Sequence, residues 1–244
     1  MLRAITLDYW NTLFEDRGGR DRERRRAALL QSELDSLGMH RAPPAVDEAL
    51  AAGYGYFESV WRRQMRTPPA AEIVEVILAT LQAPVPSSAA TRITDAFERL
   101  LLEVAPDPVP GAERVLSKLA ESYRLAVISD TGYSPGWVLR ELLDRHGMLQ
   151  YFSYLYFSNE HRSSKPDPAV FRCVLDELEV VPVEALHVGD MQRTDVQGAK
   201  AVGMWTVLFA GVNDRDAAIS TADAVVRRFD DLPQAIDRLM GPEY

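Results

Sequence analysis

Three apolar runs in this chain each end on a polar residue: Ile5-Thr6-Leu7 on Asp8, Leu125-Ala126-Val127-Ile128 on Ser129, and Ala185-Leu186-His187-Val188 on Gly189-Asp190. Lys165 stands in a loop between the second and third, and Asp195 follows Asp190 by five residues. Short apolar runs bounded by turn residues read as buried strands. In an open parallel sheet the carboxyl ends of the strands lie on one edge, where such sheets place their ligands. Three carboxylates, a hydroxyl and an ammonium then converge. Carboxylate oxygens hold a hard cation such as Mg²⁺, which takes few protein ligands. Cation, lysine and hydroxyl together neutralise a phosphoryl group, whose transfer demands positioning and charge compensation. A remaining aspartate oxygen attacks phosphorus to give an aspartyl-phosphate. Each residue also has a plain structural reading. Asp8 serves equally well as a turn cap ahead of Asn11-Thr12, Asp195 as a helix N-cap and Asp130 as a turn residue.

The elements that must carry these groups alternate from Pro106 onward. Helices are expected at Ala112–Ser122, Pro135–Arg145, from Pro168 through Leu178, at Val196–Val202 and near Leu232–Met240. Strands are expected at Leu125–Ile128, Tyr154–Phe157, Ala185–Val188, Trp205–Phe209 and Ala224–Val226. Alternation of this kind predicts an α/β fold, a doubly wound parallel sheet with right-handed crossovers. The stretch before it is different. Residues 16–26 are dense in arginine (Arg17, Arg20, Arg22, Arg24, Arg25, Arg26), with Asp16, Asp21 and Glu23 interleaved. They read either as a solvated helix face or as the lining of a cleft for an anionic substrate. Apolar residues then recur at helical spacing from Ala27 to Leu37, ahead of Gly38. Further helices are expected at Val46–Arg66, Ala71–Leu81 and Ala89–Val104, punctuated by Pro43-Pro44, Pro68-Pro69, Pro84 and Pro86. The aromatics Tyr54, Tyr56, Phe57 and Trp61 belong to a core or face a substrate. The division predicted is a core of residues 1–14 and 106–244, with an α-helical insertion at 15–105.

Composition bounds the partners. Of 244 residues, 47% are hydrophobic and 26% charged, the mixture of a water-soluble globular chain. A net charge of −9 argues against nucleic acid or an anionic membrane as partner, though not against a small anionic substrate in a cleft of opposite local sign. One cysteine, Cys173, allows no internal disulfide and fits a reducing compartment. Neither a secretion signal nor a membrane span is recognisable, so a cytoplasmic location is expected. The apolar faces of the inserted helices leave a homodimer open.

The motifs and their order resemble those of the haloacid dehalogenase-like hydrolase superfamily, in the branch with a helical cap inserted after the first motif. The family's Asp-x-Asp-x-Thr is matched by Asp8-Tyr9-Trp10-Asn11-Thr12, its Ser/Thr-ended strand by Ser129, and its lysine before a helix by Lys165-Pro166-Asp167-Pro168. Its Gly-Asp with acids downstream is matched by Gly189-Asp190-Met191-Gln192-Arg193-Thr194-Asp195. The resemblance implies a Rossmann-like core and a small phosphorylated metabolite as substrate. It implies Asp8 as nucleophile and metal ligand, with Mg²⁺ also bound by the Trp10 backbone carbonyl and by Asp190. Asp195 orients a metal-bound water or ligates directly. Ser129 and Asp130, the latter through its backbone amide, hold phosphoryl oxygens, and Lys165 pairs with both Asp8 and the phosphoryl group.

One position departs from the pattern. Where the family's phosphatases carry a second aspartate, the general acid and base, this chain carries Trp10. Indole has one N–H donor and no usable proton to exchange, and general acid–base help contributes ~10²–10⁴ in rate. Three readings follow. The first is a phosphatase for good leaving groups, or one with a replacement acid such as Glu15 or Asp16. The second is a 2-haloacid dehalogenase, whose leaving group needs no proton but which does not use Mg²⁺ and usually loses the acid that Asp190 retains. The third is a phosphate-binding or regulatory protein of low turnover.

Overall fold

The first strand, β1 (Ala4–Leu7), is buried at every residue, the condition of a parallel strand covered on both faces. The computed structural model describes residues 1–241. After β1 come β2 (Phe14–Glu15), α1 (Gly19–Ser36), α2 (Pro43–Gln64), α3 (Ala70–Thr80), α4 (Ser87–Glu103) and β3 (Asp107–Pro108). Next are α5 (Ala112–Ala120), β4 (Arg124–Ser129), α6 (Gly136–Arg145), β5 (Phe152–Phe157), α7 (Ser158–His161) and α8 (Pro168–Glu177). The last part holds β6 (Ala185–Gly189), a π-helical turn (Gln192–Val196) that runs into α9 (Gln197–Val202), β7 (Trp205–Phe209), β8 (Ala224–Val226) and α10 (Leu232–Met240). The chain divides into two compact units, one of residues 1–16, 107–130 and 143 onward, the other of residues 17–106 with 131–142.

In the first unit six strands form one sheet in the order β5-β4-β1-β6-β7-β8, and every pairing is parallel. The α/β sheet expected from the alternation of elements is present. The chain steps outward from β1 through β4 to β5, then returns to the other side of β1 for β6, β7 and β8. The reversal falls at β1, and such switch points open a crevice at the carboxyl ends of the strands. Leu7 is in register with Val127 of β4 and with Val188 of β6. Asp8, Ser129 and Asp190 therefore leave the sheet at one edge, from three adjacent strands. One core cluster of this unit joins Ala126 and Ile128 of β4 to Val170, Phe171, Val174 and Leu175 of α8. Each of the larger side chains here, fully buried, stabilises by about 1.5–3 kcal/mol. A two-stranded antiparallel ribbon pairs Phe14 with Pro108 and Glu15 with Asp107. It is too short for any periodicity to announce it.

The second unit is helical. Its core gathers Leu30 and Leu34 of α1, Val46 and Ala49 of α2, Ile73 and Ile77 of α3, and Ile93 and Phe97 of α4. The spacing of four between the paired residues on α1, α3 and α4 places them on one helix face. α1 starts at Gly19 and so takes in most of the arginine-rich stretch. Residues 131–142, expected in the core by their position among the alternating elements, pack instead in this unit. Tyr133 meets Phe97 edge-on at 5.6 Å, and the Arg99 guanidinium lies 4.8 Å over the Trp137 ring. Among the described residues no helix is long and apolar enough to cross a membrane.

Candidate active site

Asp8 directly follows β1, and its backbone N–H donates to Val188 O at 2.8 Å, continuing the sheet ladder into the site. Lys165 reaches the same place from the loop before α8. Its Nζ donates to Asp8 Oδ1 at 2.5 Å and to Asp195 Oδ1 at 2.7 Å, with all three side chains buried. A lysine so deeply buried is tolerated only when paired. The loop itself is held by Asp130, whose Oδ1 accepts the Lys165 backbone N–H at 2.9 Å. Asp130 thus does more than make a turn: it ties the end of β4 to the lysine loop. Ser129 is fully buried beside it, its hydroxyl 3.2 Å from Asp130 O.

Asp195 sits in the π-helical turn and does not cap α9. Its Oδ2 accepts from Met191 N at 3.0 Å and Thr194 Oγ1 at 3.2 Å, and its Oδ1 faces Lys165 Nζ and His187 Nε2, the latter at 3.1 Å. A wider turn than an α-helix makes is what swings this carboxylate back toward the sheet, and π-turns gather at functional sites for such reasons. His187 points inward from β6, fully buried, with Nδ1 2.8 Å from Thr6 Oγ1. Since Asp195 is an acceptor only, His187 carries its proton on Nε2 and accepts from the threonine. Gly189 leaves room for this packing, because a Cβ there would stand 2.6 Å from the Asp195 Cβ.

Asp190 is engaged on one oxygen. Asn213 Nδ2 donates to Oδ2 at 2.8 Å, and Asn11 Nδ2 lies 3.4 Å from the same atom. Asn11 has φ 54°, a left-handed conformation that asparagine adopts more readily than most residues. Among the described residues neither Asp8 Oδ2 nor Asp190 Oδ1 takes a hydrogen bond, whereas both Asp195 oxygens are fully used. Carboxylate oxygens of Asp8, Asp190 and Asp195 lie within 4.8 Å of one another.

The electrostatics divide these groups into two kinds. Burial opposes the charged forms of Asp195 and Lys165. Even so, Lys165, aided by His187, holds the Asp195 carboxyl well below the ordinary carboxylate range, while Asp195 and Asp8 hold the Lys165 ammonium above its ordinary range. Burial pushes the Asp8 carboxyl well up, with Asp195 and Asp190 adding to the effect and Lys165 opposing it. Burial and Asp195 push Asp190 up to about 6. Three carboxylates thus share one ammonium, a deficit of positive charge that a divalent cation fits. The donor set is all oxygen, with two carboxylate oxygens unengaged, which suits Mg²⁺.

Asp8, Ser129, Asp130, Lys165, Asp190 and Asp195 all lie in the sheet unit, as does Trp10, which packs edge-on against Tyr9 at 5.1 Å. His187, Thr6, Asn11 and Asn213 were not anticipated. A histidine inside the apolar run Ala185–Val188 is a usable signal, since it is buried and must find polar partners. Nothing in the sequence ties Asn213 to Asp190.

This fold and this edge of polar groups define a hydrolase of a known class. The profile of the haloacid dehalogenase-like hydrolase family matches residues 54–209, and the chain belongs to that family. The matched part includes Ser129, Lys165, Asp190 and Asp195. Among curated relatives, the glyceraldehyde 3-phosphate phosphatase of Pyrococcus abyssi is 39% identical over 104 residues, which are 41% of this chain and 42% of that protein. The match therefore spans about two fifths of the relative's length. Among solved structures, a 2-haloacid dehalogenase from Pseudomonas syringae pv. Tomato DC3000 superposes with a TM-score of 0.75 at 21% identity, over 98% of this chain and 100% of that one. A HAD phosphatase from Thermococcus onnurineus superposes with a TM-score of 0.65 at 20% identity, over 99% of both. The two structures share the fold.

Proposed function

We propose that this hydrolase is a Mg²⁺-dependent phosphoric monoester hydrolase acting on a small phosphorylated metabolite. The observation that carries the reading is the deficit of positive charge around Lys165, with Asp8 Oδ2 and Asp190 Oδ1 unengaged. Asp8, Asp190 and the Trp10 backbone carbonyl would hold the ion, which when bound supplies charge neutralisation at the phosphoryl oxygens. Asp8 attacks phosphorus and the ester oxygen leaves, forming an aspartyl-phosphate that water then hydrolyses. Lys165 neutralises Asp8 against the incoming phosphoryl group, and its own place is held by Asp195. Ser129 and the Asp130 backbone amide position the phosphoryl oxygens. The relative's name supports phosphoester chemistry.

Trp10 has no proton acidic enough to hand to a leaving group, so substrates with weakly basic leaving groups turn over fastest unless another group serves as acid. Glu15, buried in β2, is the candidate. The test is phosphate release from a panel of aryl phosphates and phosphorylated metabolites with and without Mg²⁺. Metal-dependent release by the wild type, abolished in Asp8→Asn, is the expected result. Phosphate binding without turnover of any substrate would overturn it in favour of a binding role.

Trp10 also favours a second reading, hydrolysis of a 2-haloacid, since a halide leaves without a proton. Metal-independent halide release from 2-chloropropionate, lost in Asp8→Asn, would establish it.

A further inference from the structure

The helical unit carries a half-open cavity of about 890 Å³ whose lining residues all belong to that unit. This volume lies within the ~300–1,000 Å³ of small-molecule sites. Its walls have two characters. Leu50, Ala51 and the rings of Tyr54 and Tyr133 are apolar, and the early turns of α1 contribute arginines and acids. Asp47 of α2 adds a further acid, and some of these charges are ordinary surface pairs. Asp21, for example, accepts from Arg24 and from Arg25, each at 3.2 Å.

Arg26 is different. Its guanidinium lies 4.3 Å over the ring of Tyr133, and Tyr133 is itself braced edge-on by the buried Phe97. Its Nε is buried and donates to no acceptor among the described residues. Buried donors without acceptors are rare in folded proteins, and each calls for an explanation. Burial lowers the Arg26 pKa, with Tyr133 and Glu23 acting in the other direction, and burial pushes Tyr133 up to about 12, so the guanidinium is held here against a desolvation cost. A guanidinium stacked on an aromatic face is fixed in plane, and its edge then offers parallel N–H donors in the fork that matches carboxylate or phosphate oxygens.

We infer that this cavity binds a small organic anion, with the oxyanion on the edge of Arg26 and the apolar part of the ligand against Leu50, Ala51 and Tyr54. The site goes beyond the hydrolase reading and does not depend on it.

The test follows the Arg26 Nε–Hε resonance in ¹⁵N-labelled protein, assigned by its loss in Arg26→Lys. The titrants are benzoate and phenylphosphonate, which cannot be hydrolysed, with acetate, sulfate and sodium chloride as controls. The Arg26 resonance should move saturably with benzoate or phenylphosphonate, at concentrations about tenfold below those needed for acetate or sulfate, reflecting the apolar wall. Binding followed by the calorimetric heat of titration should weaken about tenfold or more in Arg26→Lys, which keeps the charge and loses the fork. Ala51→Glu, at an exposed helical position, places a carboxylate in the cavity without disturbing the core and should abolish the binding. An Arg26 resonance that moves with none of the anions, or only as it moves with sodium chloride, overturns the proposal. So does a titration unchanged in Ala51→Glu. Either result leaves Arg26 a packing residue for Tyr133.

Discussion

His187 Nε2 lies 3.1 Å from Asp195 Oδ1, with both side chains buried beneath the carboxyl edge of the sheet. The contact links the strand interior to the charge network, because Asp195 also holds Lys165, and Lys165 holds Asp8. It makes His187 a positioning residue. Replacing it by Leu removes both its hydrogen bond to the charged Asp195 and the one it accepts from Thr6, and should cost about 1.5–3 kcal/mol or more in urea unfolding. Thr6→Val removes only the donor to His187 Nδ1 and should cost about 1 kcal/mol. The double variant should cost less than the sum, since Thr6 acts through the histidine.

Lys165→Met should destabilise by about 3–5 kcal/mol at pH 7, because it strands Asp8 and Asp195 as buried carboxylates without their ammonium. Its effect should shrink toward pH 5, as Asp8, already the harder of the two to ionise, takes a proton. Combining it with Asp8→Asn should recover part of the loss. Equal losses in urea midpoints at both pH values would contradict this account of the pair.

Asp190 titrates near 6 when folded, against an ordinary value of 3.8. Between those values the folded chain binds more protons than the unfolded chain, so the Asp190 contribution makes the metal-free protein less stable as pH rises from about 4 to 6. At pH 7, Asp190→Asn should therefore raise the melting temperature of the metal-free protein, by stabilisation on the order of 3 kcal/mol. Mg²⁺ should raise the wild-type melting temperature with concentration and leave that of the variant unchanged. Thermal scans with a chelator and with Mg²⁺ read both outcomes.

Gly189→Ala should be poorly tolerated, although the position is not in a left-handed conformation. The new methyl would meet the Asp195 side chain, which has no slack because its two oxygens are anchored on four partners. A cost of about 1–3 kcal/mol is expected, together with a fall in hydrolase rate as Asp195 shifts under Lys165. Unchanged stability and rate would mean that the turn carrying Asp195 gives way freely.

Much of this was readable from residue order alone. The apolar runs ending at Asp8, Ser129 and Asp190 announced buried parallel strands, because a strand covered on both faces must be apolar throughout and can turn polar only where it leaves the sheet. The strand ends follow from that rule, and so does the α/β class. The departure at Trp10 was equally plain. Periodicity could not show that residues 131–142 pack with the helices, because the aromatic contacts of Tyr133 and Trp137 join segments far apart in the chain. Nor could it separate the arginines of α1. They differ only in what lies above them, and for Arg26 that is the Tyr133 ring.

The sequence by itself determined which groups stand at the sheet edge, since hydrophobic patterning sets strand limits and parallel pairing aligns their ends. Only the tertiary structure decided what each group does there. Asp195 and Asp190 are both aspartates of one short motif, yet one is locked ionised by Lys165 and the other lifted to about 6 by burial. The physical reason is that a carboxylate's proton affinity depends on partners a few ångströms away, and those partners come from β1, the lysine loop and the loop after β7, which only folding brings together.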